Sequence, residues 1–326
     1  SVIFSQNKIR ALTKDSDFFI TILNGGFSPN LSNLPDSIKA TFFSELSHQK
    51  TQKLFDSKNK EAGPSDTLKD LFKQEGVVFE FAKNEKPIEI RVNHINTVEK
   101  SYLNSYRNMY VFDEGARYSM FENFICLSEC REPFFNDFSS DYILRRSSEI
   151  FVHSFYNQPN INSSSCLINN ISISQYGNSV FSLNSMYLDV GRVHNSISCL
   201  LAEQKSSCNL SSISLLSKDM CVNNSIQIEH RKPNCTSRQL YKGVFDDQSK
   251  GVFDSCALVS RDAQQSKAVQ KNNNIVLSDY ASINSNPQLE IFADDVVCSH
   301  GSTIGQIDDG ALFYLRSRGI NERVSR

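Results

Sequence analysis

The sequence predicts a mainly β fold behind a helical head, on three observations. From Gly76 onward apolar and polar residues alternate in short runs, small polar residues separate the runs, and almost no helical period interrupts them before about residue 290. Alternation puts every second side chain on one face of an extended chain, so each run reads as a half-buried strand.

Residues 1–76 carry the helical signals. The clearest is Pro64-Ser65 followed by Leu68, Leu71 and Phe72 and closed by Gly76. Ser65 can accept from the free N–H groups of a first turn, the apolar residues share one face, and Gly76 suits a left-handed stop. Ser16–Leu23 and Pro35–Leu46 are weaker helical candidates, each apolar on one side. Lys50–Lys60 is polar apart from Leu54 and Phe55 and reads as a solvated helix or loop. Asn24-Gly25-Gly26 is a turn, not a phosphate-binding loop.

The period changes at Gly76. Val77–Ala82 and Ile88–Val92 are the entry strands, and similar runs follow every ten or so residues, from Met109–Phe112 through Glu149–His153, Leu167–Ile173 and Ile226–Ile228 to Leu289–Phe292. Between Phe151 and Ser225 the charged residues are Asp189, Arg192, Glu203, Lys205, Lys218 and Asp219 alone; Ser and Asn supply the polarity instead. Those residues tolerate turn conformations and can bond up and down a stack of turns. The pattern fits a coil of parallel strands, a β-helix, and it fits a β-sandwich as well. The expected organisation is a helical region over 1–76, a β core over 77–301 and the start of a second helical region over 302–326.

With 34 Lys and Arg against 36 Asp and Glu, a net charge of −2 and a pI near 6.3, the chain has no global basic field. That excludes a protein built to grip phosphate backbones, and no nucleic-acid partner is expected. No stretch approaches the ~18 consecutive apolar residues of a membrane span, and the first residues lack the apolar run of an export signal. The nine cysteines are uneven in spacing and odd in number, which reads as a reducing compartment and not a disulfide framework. The Asn-x-Ser/Thr triplets, Asn162 and Asn223 among them, then follow from composition.

Most candidate motifs carry little chemistry. Cys126 and Cys130 are four apart, but no second pair lies at zinc-site spacing, so they read as core cysteines. His48, His94 and His153 stand alone and read as surface or capping residues. Cys235 has Arg238 nearby, which could lower a thiol pKa. One cluster stands apart, Asp294-Asp295-Val296-Val297-Cys298-Ser299-His300-Gly301. In a strand Cys298 and His300 project from the same face, and thiolate with imidazole is a ligand set that iron, zinc and copper accept. Two ligands cannot close a four-coordinate site, so the rest would come from elsewhere, as from another chain. By spacing alone the two also fit a pair of polarizable residues under a turn.

The run Pro287 to Ile320, PQLEIFADDVVCSHGSTIGQIDDGALFYLRSRGI, resembles the SufB/SufD family of iron–sulfur cluster assembly scaffold proteins, on its SufD side. Similar segments lie upstream, at Ile228-Glu229-His230, at Cys235 to Gly243, at Gly251-Val252-Phe253 and at Asp262-Ala263-Gln264 with Asn272-Asn273-Asn274. The resemblance is specific over about Met186 to Ile320. It implies a right-handed parallel β-helix flanked by helical regions, and a non-enzymatic subunit that pairs with a SufB-like paralogue and contacts a SufC-like ATPase, where ATP hydrolysis belongs. It also implies that His300, with Cys298, contributes to a site at the subunit interface where iron or a transient iron–sulfur cluster is held; flavin use stays unassigned. Pro287, Gln288, Leu289, Glu290, Ile291 and Gly301 are then expected near the SufB-like partner, and Leu312, Phe313, Tyr314, Leu315 and Arg316 in the ATPase-contacting region. Relatives continue past the point where this chain stops, so a fragment is expected. The implied compartment is the cytoplasm, or the plastid stroma in a plastid-bearing organism. Other β-helix classes, a carbohydrate-active enzyme or a structural protein, would call for paired carboxylates on the coil face or for export.

Overall fold

The computed structural model describes residues 17–47, 76–97, 102–126, 133–158, 161–306 and 309–321. The first strands are β1 (Phe19–Leu23), β2 (Gly26–Phe27), β3 (Ile38–Phe42), β4 (Val77–Phe81) and β5 (Ile88–Asn96). There follow β6 (Leu103–Phe112), β7 (Arg117–Cys126), β8 (Phe135–Leu144), β9 (Glu149–Tyr156), β10 (Cys166–Gln175), β11 (Val180–Tyr187) and β12 (Arg192–Leu201). The series closes with β13 (Ser207–Leu216), β14 (Cys221–His230), β15 (Thr236–Phe245), β16 (Lys250–Val259), β17 (Lys267–Val276), β18 (Ser282–Ile291), β19 (Val297–Gln306) and one helix, α1 (Asp309–Ser317).

Odd strands from β5 to β19 build one sheet and even strands from β4 to β18 the other, each strand parallel to the next in its sheet. Hairpins cannot join parallel neighbours, so the sandwich is excluded and the chain is a parallel β-helix whose every turn adds one strand to each sheet. Asn195 bonds to Asn224 29 residues on, and Asn273 to Thr303 30 residues on, which sets the length of a turn. Successive strands therefore start about half that far apart, more widely than the interval of ten suggested by the apolar runs.

The lumen changes along its axis. Its first turns hold aromatic stacks, with Phe79, Tyr110 and Tyr142 in one column and His94, Phe124, Tyr156 and Tyr187 in another. In the middle turns smaller residues take over. Asn169, Asn195 and Asn224 form a buried ladder in which each side-chain amide donates to the next carbonyl, at 2.7 and 2.8 Å. Such a ladder satisfies polar groups that would otherwise be costly inside. The corners repeat too. Ser147, Asn178, Lys205, Asn234 and Gln265 have positive φ, and the residue after each, Ser148, Ser179, Ser206, Cys235 and Ser266, is buried. These five stack on one another, and each carbonyl accepts from the first strand N–H of the next turn, as in Val180 to Ser148 and Lys267 to Cys235. A small side chain is all the corner admits, which is why Ser dominates there.

Four expectations are corrected. Ser16–Leu23 and Pro35–Leu46 are not α-helices: Phe19–Leu23 pairs parallel with β5, and Ile38–Phe42 pairs antiparallel with β4, with only a 3-10 turn over Phe43–Glu45 after it. A sheet edge at each position outweighs weak helical periodicity, and Phe19-Ile20-Thr21-Ile22 suits a strand. His94 is not at the surface but 5% exposed within the aromatic column. Cys126 is disulfide-bonded, whereas the seven other described cysteines are free. Asn24-Gly25 does form the turn between β1 and β2, both residues at positive φ as a tight hairpin requires. The Pro64–Gly76 helix, Lys50–Lys60, His48 and Cys130 lie outside the described residues, Gly76 itself excepted.

Candidate functional site

The two ends of the coil differ. At the start, β2 and β3 run antiparallel to their neighbours and are short. At the other end β18 and β19 are ten-residue strands with no outer neighbour among the described residues. A long strand edge is a template for pairing with another chain. Pro287, which has no N–H to give a ladder, is tolerated on such an edge.

Register places the candidate pair. Cys298 lies beside Ala268 and His300 beside Gln270, and both of those residues are buried inward. Cys298 and His300 therefore share the lumen-facing side of the strand, as alternation predicts. Among the described residues no further strand is stacked above them, and His300 is exposed and Cys298 half-buried. Around them stand Ser285, Pro287 and Leu289 from β18, with Ser302 donating to Ser285 Oγ at 2.8 Å. Gly301, between His300 and Ser302, takes the opposite face beside the exposed Lys271, and a Cβ built on it would meet nothing within 4 Å, so the outer face of the strand is open there.

The His300 imidazole has a defined partner. Its Nδ1 lies 2.9 Å from the carbonyl oxygen of Pro287. A carbonyl only accepts, so in the neutral ring Nδ1 carries the proton and Nε2 carries the lone pair. An imidazole held through one nitrogen by a backbone carbonyl is the usual arrangement of a metal-ligating histidine. Cys298 packs against Val259, Ala263 and Ala293, and burial pushes its thiol pKa up, offset by the Ala268 backbone hydrogen bond. It is a protonated thiol that must lose its proton to bind metal. No group of three His, Cys, Asp or Glu side chains capable of holding a metal occurs among the described residues. The pair by itself does not complete a metal site.

The other expected residues sit on the same end. Gln288, Glu290 and Ile291 are exposed on β18. In α1 Leu312 is buried while Phe313 and Tyr314 are 74% and 58% exposed; Leu315 is intermediate and Arg316 exposed. The helix expected from Leu312 onward is thus present, and its aromatic side chains face outward. Cys235 does not have the lowered thiol pKa that Arg238 suggested: it is a rung of the serine column, its Sγ donates to the Glu203 carbonyl at 3.2 Å, and burial raises its pKa.

Two polar groups in the lumen had no sequence motif to reveal them. Glu122 is buried, accepting from Tyr142 OH at 3.0 Å and from Ser154 Oγ at 2.6 Å, and burial pushes its carboxyl up against those two bonds. His230 is buried with Nε2 2.8 Å from Ser237 Oγ, and burial lowers its pKa to about 4. Both lie on inward positions of ordinary alternating strands, so only the register exposes them.

Comparison with known proteins agrees with this architecture. The SufBD core domain model of the SUF system for FeS cluster assembly matches residues 94–326. The iron–sulfur cluster assembly protein SufD of Escherichia coli is 40% identical over 130 residues, 40% of this chain and 30% of that protein. A SufBD family iron–sulfur cluster assembly protein of Synechocystis is 27% identical over 321 residues, 94% of this chain and 70% of that protein. The chloroplastic protein ABCI7 of Arabidopsis thaliana is 40% identical over 113 residues, 33% of this chain and 24% of that protein. The matches thus span less than a third of the Escherichia coli and Arabidopsis proteins. No helix among the described residues is long and apolar enough to cross a membrane. A family model covering more than half of the chain, a parallel coil and a SufD-named relative lead to one conclusion: the chain belongs to the SufB/SufD family of iron–sulfur cluster assembly proteins.

Proposed function

We propose that the chain acts as a SufD-like scaffold subunit of a SufBCD-type complex, with the open β18–β19 end pairing with a SufB-like paralogue. His300, with Cys298 beside it, then supplies half of a site that holds iron or a nascent iron–sulfur cluster at the joint, and the partner supplies the rest. The observation that carries this reading is the hydrogen bond from His300 to the Pro287 carbonyl, which leaves Nε2 as a lone-pair donor at the open end. A neutral imidazole is a weaker ligand than a thiolate, which suits a site that must release its product. ATP hydrolysis is assigned to a SufC-like ATPase, whose docking surface begins with Leu312, Phe313, Tyr314, Leu315 and Arg316. The bacterial and chloroplastic relatives favour a bacterial cytosol or a plastid stroma as the compartment.

The test is His300→Ala in the complex with SufB-like and SufC-like partners. His300 is exposed, so the fold and co-purification should be unchanged while cluster assembly, followed by visible absorbance, falls at least tenfold. Full assembly by a correctly paired variant would remove His300 from the site.

A further inference from the structure

On the outer face of the odd-strand sheet, away from the lumen, lies a groove of about 410 Å³ lined by Phe121, Phe155, Met186, Ile213, Leu240 and Lys242 among others. Register explains it. Phe155, Met186, Ile213 and Lys242 form one column across β9, β11, β13 and β15; Leu240 leads into Lys271 in the column beside it. Phe121, Phe155 and Met186 are each 37% exposed and Ile213 42%, a contiguous run of apolar surface bordered on one side by the polar His153, Asn184 and Ser211 and continued on the other by Leu215, 47% exposed. Phe121 is braced by His153, their rings stacked at 5.0 Å. Exposed apolar surface of this kind, continuous and bordered by polar groups, marks an interaction site.

The charge around it is one-sided. At the end of the groove β15 and β17 present Arg238, Lys242, Lys267 and Lys271, all exposed, and none makes an ion pair among the described residues. The odd strands from β9 to β19 hold a single carboxylate, Glu149, which faces Arg117 at 3.9 Å. The groove crosses β7 to β15, four strand spacings or ~19 Å, which is the length of a helix of ~13 residues. The geometry points to a docking surface for an acidic amphipathic helix of a partner protein, its apolar stripe on Phe155, Met186 and Ile213 and its carboxylates on Lys242, Lys271 and Arg238. This surface lies on the outside of the sheet and does not depend on the reading of His300.

The probe is a fluorescein-labelled 14-residue peptide with Leu at helical spacing and Glu elsewhere, set against a twin with Lys in place of Glu. Fluorescence anisotropy with the full chain should show binding of the acidic peptide that weakens with added salt, and none of the basic twin. Met186→Glu with Ile213→Glu, both on exposed positions, should weaken the acidic peptide at least tenfold. Lys242→Glu with Lys271→Glu should reverse the preference between the two peptides. Equal binding of both peptides, absence of binding, or binding indifferent to Met186→Glu with Ile213→Glu would overturn the proposal. So would tight binding of oligo-dT that ignores the apolar substitutions, since a bare polyanion site needs no groove.

Discussion

His94 makes the stability of the coil depend on pH in a calculable way. Its ring stacks on Phe124 with centroids 4.4 Å apart and planes 4° apart, its Nδ1 lies 3.0 Å from Tyr106 OH, and its Nε2 is buried without a partner. Burial lowers its pKa from 6.5 to about 3. The unfolded chain takes up the proton near pH 6.5 and the folded chain does not until about 3. The stability tied to the neutral ring is therefore whole above 6.5 and drains away as the pH falls toward 3. Each pH unit in that window costs about 1.4 kcal/mol, so between 6.5 and 5 the loss from His94 is about 2 kcal/mol. His94→Phe keeps the stack and abolishes the titration, at the expense of the Tyr106 bond, about 1 kcal/mol at any pH. Urea unfolding of both proteins at pH 7 and pH 5 isolates the effect, because His230 and the carboxylates contribute equally to the two. The wild type should lose about 2 kcal/mol more than the variant over that interval. An equal loss in both would refute the argument that a buried, unprotonated His94 sets this slope.

Two further outcomes follow from the repeat geometry. Asn195→Ala removes the bonds to Asn169 and Asn224 and leaves Asn224 Oδ1 without its donor inside the lumen, so urea unfolding should show a loss of about 3 kcal/mol. Lys205 occupies a left-handed corner at φ 62° with an exposed side chain, and Lys205→Gly should raise stability by about 0.5 kcal/mol, read as an upward shift in the unfolding midpoint.

Much of this molecule was legible in its residues because a β-helix writes the same instruction many times. Alternation gave the strands, and the Ser- and Asn-rich, charge-poor middle reflected the serine corners and the asparagine ladder. The two head segments misled because a short apolar stretch with Pro or Ser before it carries helical and extended signals together. What decided between them was a partner strand distant in sequence, β5 for Phe19–Leu23 and β4 for Ile38–Phe42. His94 misled for a related reason: a single histidine in Arg91-Val92-Asn93-His94 has no local mark of which face it takes, and the neighbouring turn's Phe124 settles it. Cys298 and His300 were legible as a same-face pair. That they lie on the last turn of the described coil was not, because Ser282–Ile291 and Val297–Gln306 look like every strand before them, and only the lack of an outer neighbour among the described residues sets them apart.

The unlike ends of the coil limit how copies can combine. Parallel coils with two equal, long edges would stack head to tail without limit, since a heterologous contact that does not close grows a fibre. Here, among the described residues, the reversed, shortened strands β2 and β3 blunt one end, and long unpaired edges stand only at the other. Association through that end alone would saturate at two bodies meeting face to face. Head-to-tail growth through the described strands would find no matching edge to receive it, by strand direction alone.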